Sequence, residues 1–136
     1  VGGFEIVEHT ADVGIRAAGD TLEEVFYQTT RGLIEIEDAW RPGEGDRLEI
    51  TLEARDLIAL MVDWLNEVLY LQDSRDAVFG DVVVDAVTPT SITGTVTIHP
   101  REEDLQGTAV KAVTFHRLEV LQGPDGGWRS LVYVDV

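Results

Sequence analysis

Asp12, Asp135 and Val136 are the residues of this 136-residue chain whose types and positions could hold an ion, and Lys111 is the cation that could answer them. Asp12 follows His9-Thr10-Ala11 in a short polar interruption between two apolar stretches, and Asp135 is the penultimate residue, with the α-carboxylate on Val136. If the last strand is ordered to its end, these two carboxylates lie close together. A third oxygen donor from Asp12 would complete an all-oxygen site for a hard divalent cation such as Ca²⁺, Mg²⁺ or Mn²⁺. Like charges so arranged repel, and a bound cation relieves the repulsion. Spacing alone leaves open whether Asp12 approaches Asp135. The plainer alternatives are a turn aspartate bonded to nearby amides and a solvated chain end.

Lys111 is the one lysine beside nine arginines, in the segment Gly107-Thr108-Ala109-Val110-Lys111-Ala112-Val113-Thr114. Guanidinium is a planar, permanently charged fork, whereas an ammonium is a compact point charge on a flexible stem. A site needing a small cation beside phosphate or carboxylate oxygens resists the exchange; survival of one lysine by chance is the other reading. His9, His99 and His116 are too scattered for a metal motif, and His116, within Thr114-Phe115-His116, reads as a packed strand residue. There is no cysteine, so disulfides, thiolate metal sites and thiol nucleophiles are excluded. Nucleotide-binding glycine patterns and a nucleophile elbow are also missing.

The elements that must position these residues can be read from periodicity. Phe4–Val7 is a short strand, and Val13, Ile15 and Ala17 alternate in a second. Asp20, with Glu23 three residues on, reads as the capping box of a helix whose apolar face is Leu22, Val25, Phe26 and Leu33. Arg41–Asp46 is a loop, and Leu48, Ile50 and Leu52 alternate in a third strand. From about Ala54 to Leu71 runs the longest helix, apolar around most of its circumference, with Asp56, Asp63, Asn66 and Glu67 as a narrow wet stripe. Such a helix packs on more than one side, within the fold or against a second subunit, so an oligomer is an open expectation. Val82–Val87 and Ser91–Ile98 are strands; Val110–Leu121 and Trp128–Val136 flank the turn Gln122–Gly127 and should pair as a C-terminal hairpin. The expectation is α+β, with two helices on one face of a largely antiparallel sheet.

Length and composition bound the rest. A chain of 136 residues, 44% hydrophobic, is read as a single domain spanning residues 1–136 with an ordinary core. No run is long and apolar enough for a membrane span, and the first residues lack a secretory signal, so a cytoplasmic protein without membrane contact is expected. A net charge of −16 with no basic cluster repels polyanions, and direct nucleic-acid binding is not expected. Solubility, cation binding or docking onto a basic partner all suit that charge.

Taken together, the segments resemble the archease family over nearly the whole chain. The resemblance runs through His9-Thr10-Ala11-Asp12-Val13, Gly19-Asp20-Thr21-Leu22-Glu23-Glu24, Asp56-Leu57, Leu65-Asn66-Glu67-Val68-Leu69-Tyr70, Gly107-Thr108, Val110-Lys111-Ala112-Val113-Thr114 and Asp135-Val136. It implies an α+β accessory protein, not an enzyme, that activates a GTP-dependent tRNA-splicing RNA ligase. Archeases promote guanylylation of that ligase, which seals tRNA halves through a histidine–GMP intermediate, and keep it turning over. The family's metal site falls on Asp12, Asp135 and Val136, with Ca²⁺ the first expectation and Mg²⁺ or Mn²⁺ the alternatives; its functional lysine falls on Lys111. Relatives often have Tyr at the position of Phe115, so any role of that hydroxyl is absent here. The stretch His99–Gln106 does not align by length, and His99 is assigned no function. Two other classes stay in view. One is a general chaperone or solubility partner of RNA-modifying enzymes, using the apolar excess of the long helix. The other is a metal-dependent hydrolase built on the same carboxylates.

Overall fold

The computed structural model describes residues 2–8 and 12–136, with the Glu8 side chain left aside. The motif residues His9, Thr10 and Ala11 therefore lie outside the described residues. In chain order the elements are β1 (Gly3–Glu8), β2 (Val13–Gly19), α1 (Leu22–Ile36), β3 (Asp46–Glu53), α2 (Leu57–Arg75), β4 (Ala77–Thr88), β5 (Ser91–Pro100), β6 (Ala112–Val113), β7 (Glu119–Gln122) and β8 (Trp128–Asp135).

The α+β reading holds, with antiparallel pairing throughout both sheets. The strands divide into two sheets where a single one was expected. One runs β1-β2-β8-β6 with β7 also on β8, and the other runs β3-β5-β4. Since β2 occupies one edge of β8 along its length, β6 and β7 share the other edge in succession. Each helix touches strands of both sheets: α1 packs on β1, β2, β8 and β4, and α2 on β3, β4, β5, β6 and β7. The long helix is thus buried on more than one side within the fold, through Leu60, Met61, Trp64, Leu65 and Val68. No helix among the described residues is long and apolar enough to cross a membrane.

Buried polar pairs fix how the helices sit. The indole Nε1 of Trp64 in α2 donates to the Thr30 hydroxyl of α1 at 2.9 Å, and the Thr30 hydroxyl donates to the Phe26 carbonyl. Thr29 of α1 and Ser130 of β8 share a buried hydrogen bond at 2.8 Å. These contacts define the inner face of β8 as Ser130, Val132 and Val134, all buried; alternation sends Leu131, Tyr133 and Asp135 to the outer face.

Several boundaries differ from the sequence reading: α2 runs Leu57–Arg75 where about Ala54 to Leu71 was expected, β4 starts at Ala77 and not at Val82, and two further differences have a visible cause. The α1 cap is Thr21, not Asp20: its side chain accepts from the Glu24 N–H at 3.0 Å. Glu23 is not the capping-box partner, since its Oε2 accepts from the Val87 N–H on β4 at 2.9 Å. The expected strand Val110–Leu121 is broken into β6 and β7. Between them the Thr114 N–H and hydroxyl both go to the Tyr133 carbonyl, Leu118 N–H turns back to Phe115, and Arg117 takes a left-handed φ of 53°. The chain leaves the ladder there and rejoins it at Glu119. The turn at Gly123–Gly127 closes the hairpin as expected, with the Gly123 N–H on the Gly127 carbonyl at 2.7 Å.

Candidate functional site

The end of the larger sheet is where the sequence candidates meet. β2 and β8 pair up to Val13 opposite Val134, so Asp12 and Asp135 each lie one residue beyond the last pair. On the other edge of β8, Ala112 is the partner of Asp135, and the Lys111 N–H donates to the Asp135 carbonyl at 2.8 Å. Lys111 and Asp135, distant in the chain, are thus hydrogen-bonded neighbours, and Asp12 directly precedes the strand on the other edge of β8. Asp12 is partly buried, whereas Lys111 and Asp135 are exposed and Val136 is 38% exposed.

Alternation places Asp135 on the same outer face as Tyr133. Tyr133 lies opposite Gly14, and a Cβ at Gly14 would come within 3.0 Å of the Tyr133 ring. A side chain there would push the ring away; with glycine, Tyr133 is only 7% exposed although it is on the outer face. The His116 ring stands 6.2 Å from it. His116 belongs to the excursion between β6 and β7, not to a strand, and its role in the structure is this ring contact. Phe115 is 51% exposed beside it. His99 lies in β5, and its Nε2 is 2.8 Å from the Arg41 carbonyl.

As donors, Asp12, Asp135 and an oxygen of Val136 form a hard, all-oxygen set. Among the described residues no three Asp, Glu or His side chains gather into a metal cluster. Asp12, Asp135 and Val136 would offer an ion two side-chain carboxylates and one main-chain oxygen. Ca²⁺ accepts such a mixture, filling its remaining positions with carbonyls and water. The residues fit that class of ion.

The segment that carries Lys111 is held from three directions, and two of the holding side chains were not read from the sequence as functional. Asn66 of α2, assigned there to the wet stripe, is half-buried and accepts the Val113 N–H on Oδ1 at 3.1 Å. Glu37, which ends α1, accepts the Val110 N–H on Oε2 at 2.9 Å. Asp135 takes the Lys111 N–H between them. Glu37 is only 5% exposed, and its carboxyl is raised above the ordinary glutamate range, chiefly by burial and further by the nearby Asp73; the Val110 N–H and the Gln72 side chain oppose the shift. The signal that could have found Asn66 is its place within the helix: it lies four residues after Val62 and three before Leu69, both buried, at the border of the apolar face.

Comparison with known proteins agrees with the segment-by-segment resemblance. Residues 4–136 match the model of the Archease protein family (MTH1598/TM1083). The archease of Methanosarcina barkeri is 35% identical, covering 98% of this chain and 95% of its own. That of Thermococcus gammatolerans is 33% identical, covering 98% of both. The solution structure of protein 1598 of Methanobacterium thermoautotrophicum superposes with a TM-score of 0.72 at 34% identity, over 98% of this chain and 99% of that one. The crystal structure of a Thermotoga maritima archease, described as a possible chaperone, shares the fold with a TM-score of 0.62 at 17% identity, over 97% and 96% of the two chains. With a family match across almost every residue and relatives above 30% identity over their full length, the chain belongs to the archease family.

Proposed function

We propose that this protein activates a GTP-dependent tRNA-splicing RNA ligase, promoting its guanylylation and repeated turnover without itself performing the chemistry. The observation that supports the reading is the backbone hydrogen bond from Lys111 to Asp135, at the sheet end where β2, which follows Asp12, pairs with β8. Asp12, Asp135 and Val136 would hold a divalent cation, Ca²⁺ first, and a bound ion would neutralise the two carboxylates and order the chain end. Lys111 then supplies a compact positive charge to an anionic group of the ligase complex, a nucleotide phosphate or a carboxylate. A strongly acidic body suits docking on a basic protein surface and disfavours independent RNA binding.

The chaperone reading called on the apolar excess of α2. That excess is spent inside the fold, where Leu60, Met61, Trp64 and Leu65 are fully buried. Of the helix's large apolar side chains, Tyr70 remains outward at 63% exposure. A single exposed tyrosine does not make a client-binding face.

The test is a turnover count: the cognate ligase with GTP and Mn²⁺, with and without this protein. Multiple turnovers are expected only with it, and Lys111→Ala or Asp12→Ala should abolish the gain. Equal turnovers in both arms would remove the reading.

A further inference from the structure

We infer that Glu37 is a positioning residue for Lys111, holding the 106–110 segment on the end of α1 so that the lysine, one residue before β6, meets the Asp135 carbonyl. The inference rests on the role proposed above for Lys111 and adds to it the residue that aims it.

The end of α1 is built to receive this segment. Asp38 has a left-handed φ of 56°, and the Asp38 and Ala39 N–H groups close back on Glu35 and Ile34, so the helix stops with its Ile36 carbonyl left for another donor. The Thr108 N–H takes that carbonyl at 2.8 Å, and the Gln106 N–H reaches the Asp38 carboxylate at 3.2 Å. Gly107 lies between them against bare backbone: a Cβ there would be 2.4 Å from both the Glu37 carbonyl carbon and the Ile36 oxygen. The segment fits only because residue 107 has no side chain. Glu37 then closes the clamp by accepting the Val110 N–H, the last amide before Lys111.

The choice of a carboxylate is costly for stability alone. Glu37 caps a helix C-terminus, where the dipole disfavours negative charge, and it is almost wholly buried. It lines a cleft of about 280 Å³ that also holds Asp73, whose charge opposes its own. Stability would be served by an uncharged side chain. What Glu37 supplies is a fixed acceptor at one point, one residue upstream of Lys111, while Asp135 fixes the lysine's own amide on the far side. With both ends pinned, the backbone of Lys111 has little freedom left, and the conformational cost of presenting its ammonium is met before any partner binds.

Four variants test this: Glu37→Leu, Glu37→Gln, Gly107→Ala and Lys111→Ala, each read by amide hydrogen exchange on the protein alone and by stimulation of the ligase. Glu37→Leu should speed exchange at Val110 by about tenfold, as loss of one charge-assisted hydrogen bond implies, while Val132 in β8 stays protected and reports an intact fold. Stimulation should fall to the Lys111→Ala level, and the Glu37→Leu/Lys111→Ala double variant should be no worse than Lys111→Ala. Gly107→Ala should behave as Glu37→Leu does, by lifting the segment without touching the carboxylate. Glu37→Gln keeps an acceptor and should retain stimulation within about twofold of the parent, a rescue that general destabilisation would not give. If Glu37→Leu loosens Val110 yet leaves lysine-dependent stimulation intact, the positioning role is wrong and the reading of Lys111 stands. If Lys111→Ala itself leaves stimulation unchanged, the reading of Lys111 fails and the positioning role falls with it, whatever the exchange data show.

Discussion

Glu37 makes a claim about pH that can be checked without any partner. Its carboxyl is raised above the ordinary range by burial and by Asp73, with the Val110 N–H and Gln72 opposing and the Asp76–Arg101 pair on the same cleft. An acid whose pKa is higher folded than unfolded binds its proton more tightly in the native state. Its contribution is therefore most favourable below the unfolded value of 4.5 and is lost as pH rises through the folded one. Glu37→Gln removes that dependence. The stability difference between Glu37→Gln and the parent should thus move in favour of the variant from pH 4 to pH 7, measured by urea denaturation at both. A difference that is flat or moves toward the parent would show that Glu37 carries no such shift. For Lys111 the discriminating substitution is arginine: if a compact ammonium is required, Lys111→Arg loses most of the gain in guanylylation, about ten- to a hundredfold for a contact of roughly 1.5–3 kcal/mol. Lys111 was noticed as a candidate because composition singles it out. Glu37 was not, because nothing near position 37 says that residues 106–110 will cover it.

Among the elements, α1 and the β6–β7 edge show what local pattern conveys and where it stops. Both helices and most strands follow from periodicity, since a face that must be buried repeats at the spacing of its own element. The cap of α1 lay one residue away from its expected place. Asp20 and Thr21 are both good cap residues with a glutamate three positions on, and the chain's exit from β2 at Gly19 decides between them. Thr21→Ala should cost about 1 kcal/mol, seen as a lower urea midpoint at unchanged m-value. No loss would mean that the Glu24 amide is served otherwise. The break at residues 114–118 is a tertiary choice, because Thr114 gives both its donors to the Tyr133 carbonyl. Asn66 shows the same limit: a polar residue at the margin of a helix stripe looks solvated until an edge strand arrives with an amide to satisfy. Asn66→Ala leaves the Val113 N–H without its partner and should cost about 1–3 kcal/mol, with faster exchange confined to Val113 and its neighbours. If exchange at Val113 is unchanged, the helix does not hold that edge.

At the scale of the whole molecule, two facts act together: a net charge of −16, and a register that pairs Val13, next to Asp12, with Val134, next to Asp135. The split into two sheets, with β3, β4 and β5 apart from the rest, was hidden from the sequence because strand pairing is long-range and any alternating strand can join either sheet. The acidic charge was plain from the start, but its consequences need separating. Self-repulsion in a body this acidic is relieved by any salt, since at about 0.15 M the screening length is near 8 Å. A specific ion at the proposed site of Asp12, Asp135 and Val136 would act differently: it would stabilise by mass action, about 2.7 kcal/mol when the free ion is a hundredfold above its Kd, if it does not bind the unfolded chain. The two effects part when ionic strength is held constant. Ca²⁺ exchanged for Na⁺ at equal ionic strength should raise Tm further in the parent. Asp12→Asn and Asp135→Asn should lose that increment yet keep the general response to salt. Asp135→Asn is the sharper of the two, because the Lys111 amide bonds the main-chain carbonyl of Asp135, which the substitution leaves in place. A Ca²⁺ increment that survives both substitutions belongs to the diffuse acidic surface, and the sheet end would then hold no ion. An increment lost in both, together with unchanged exchange at Lys111, would assign the ion to the side chains and the placement of the lysine to the backbone.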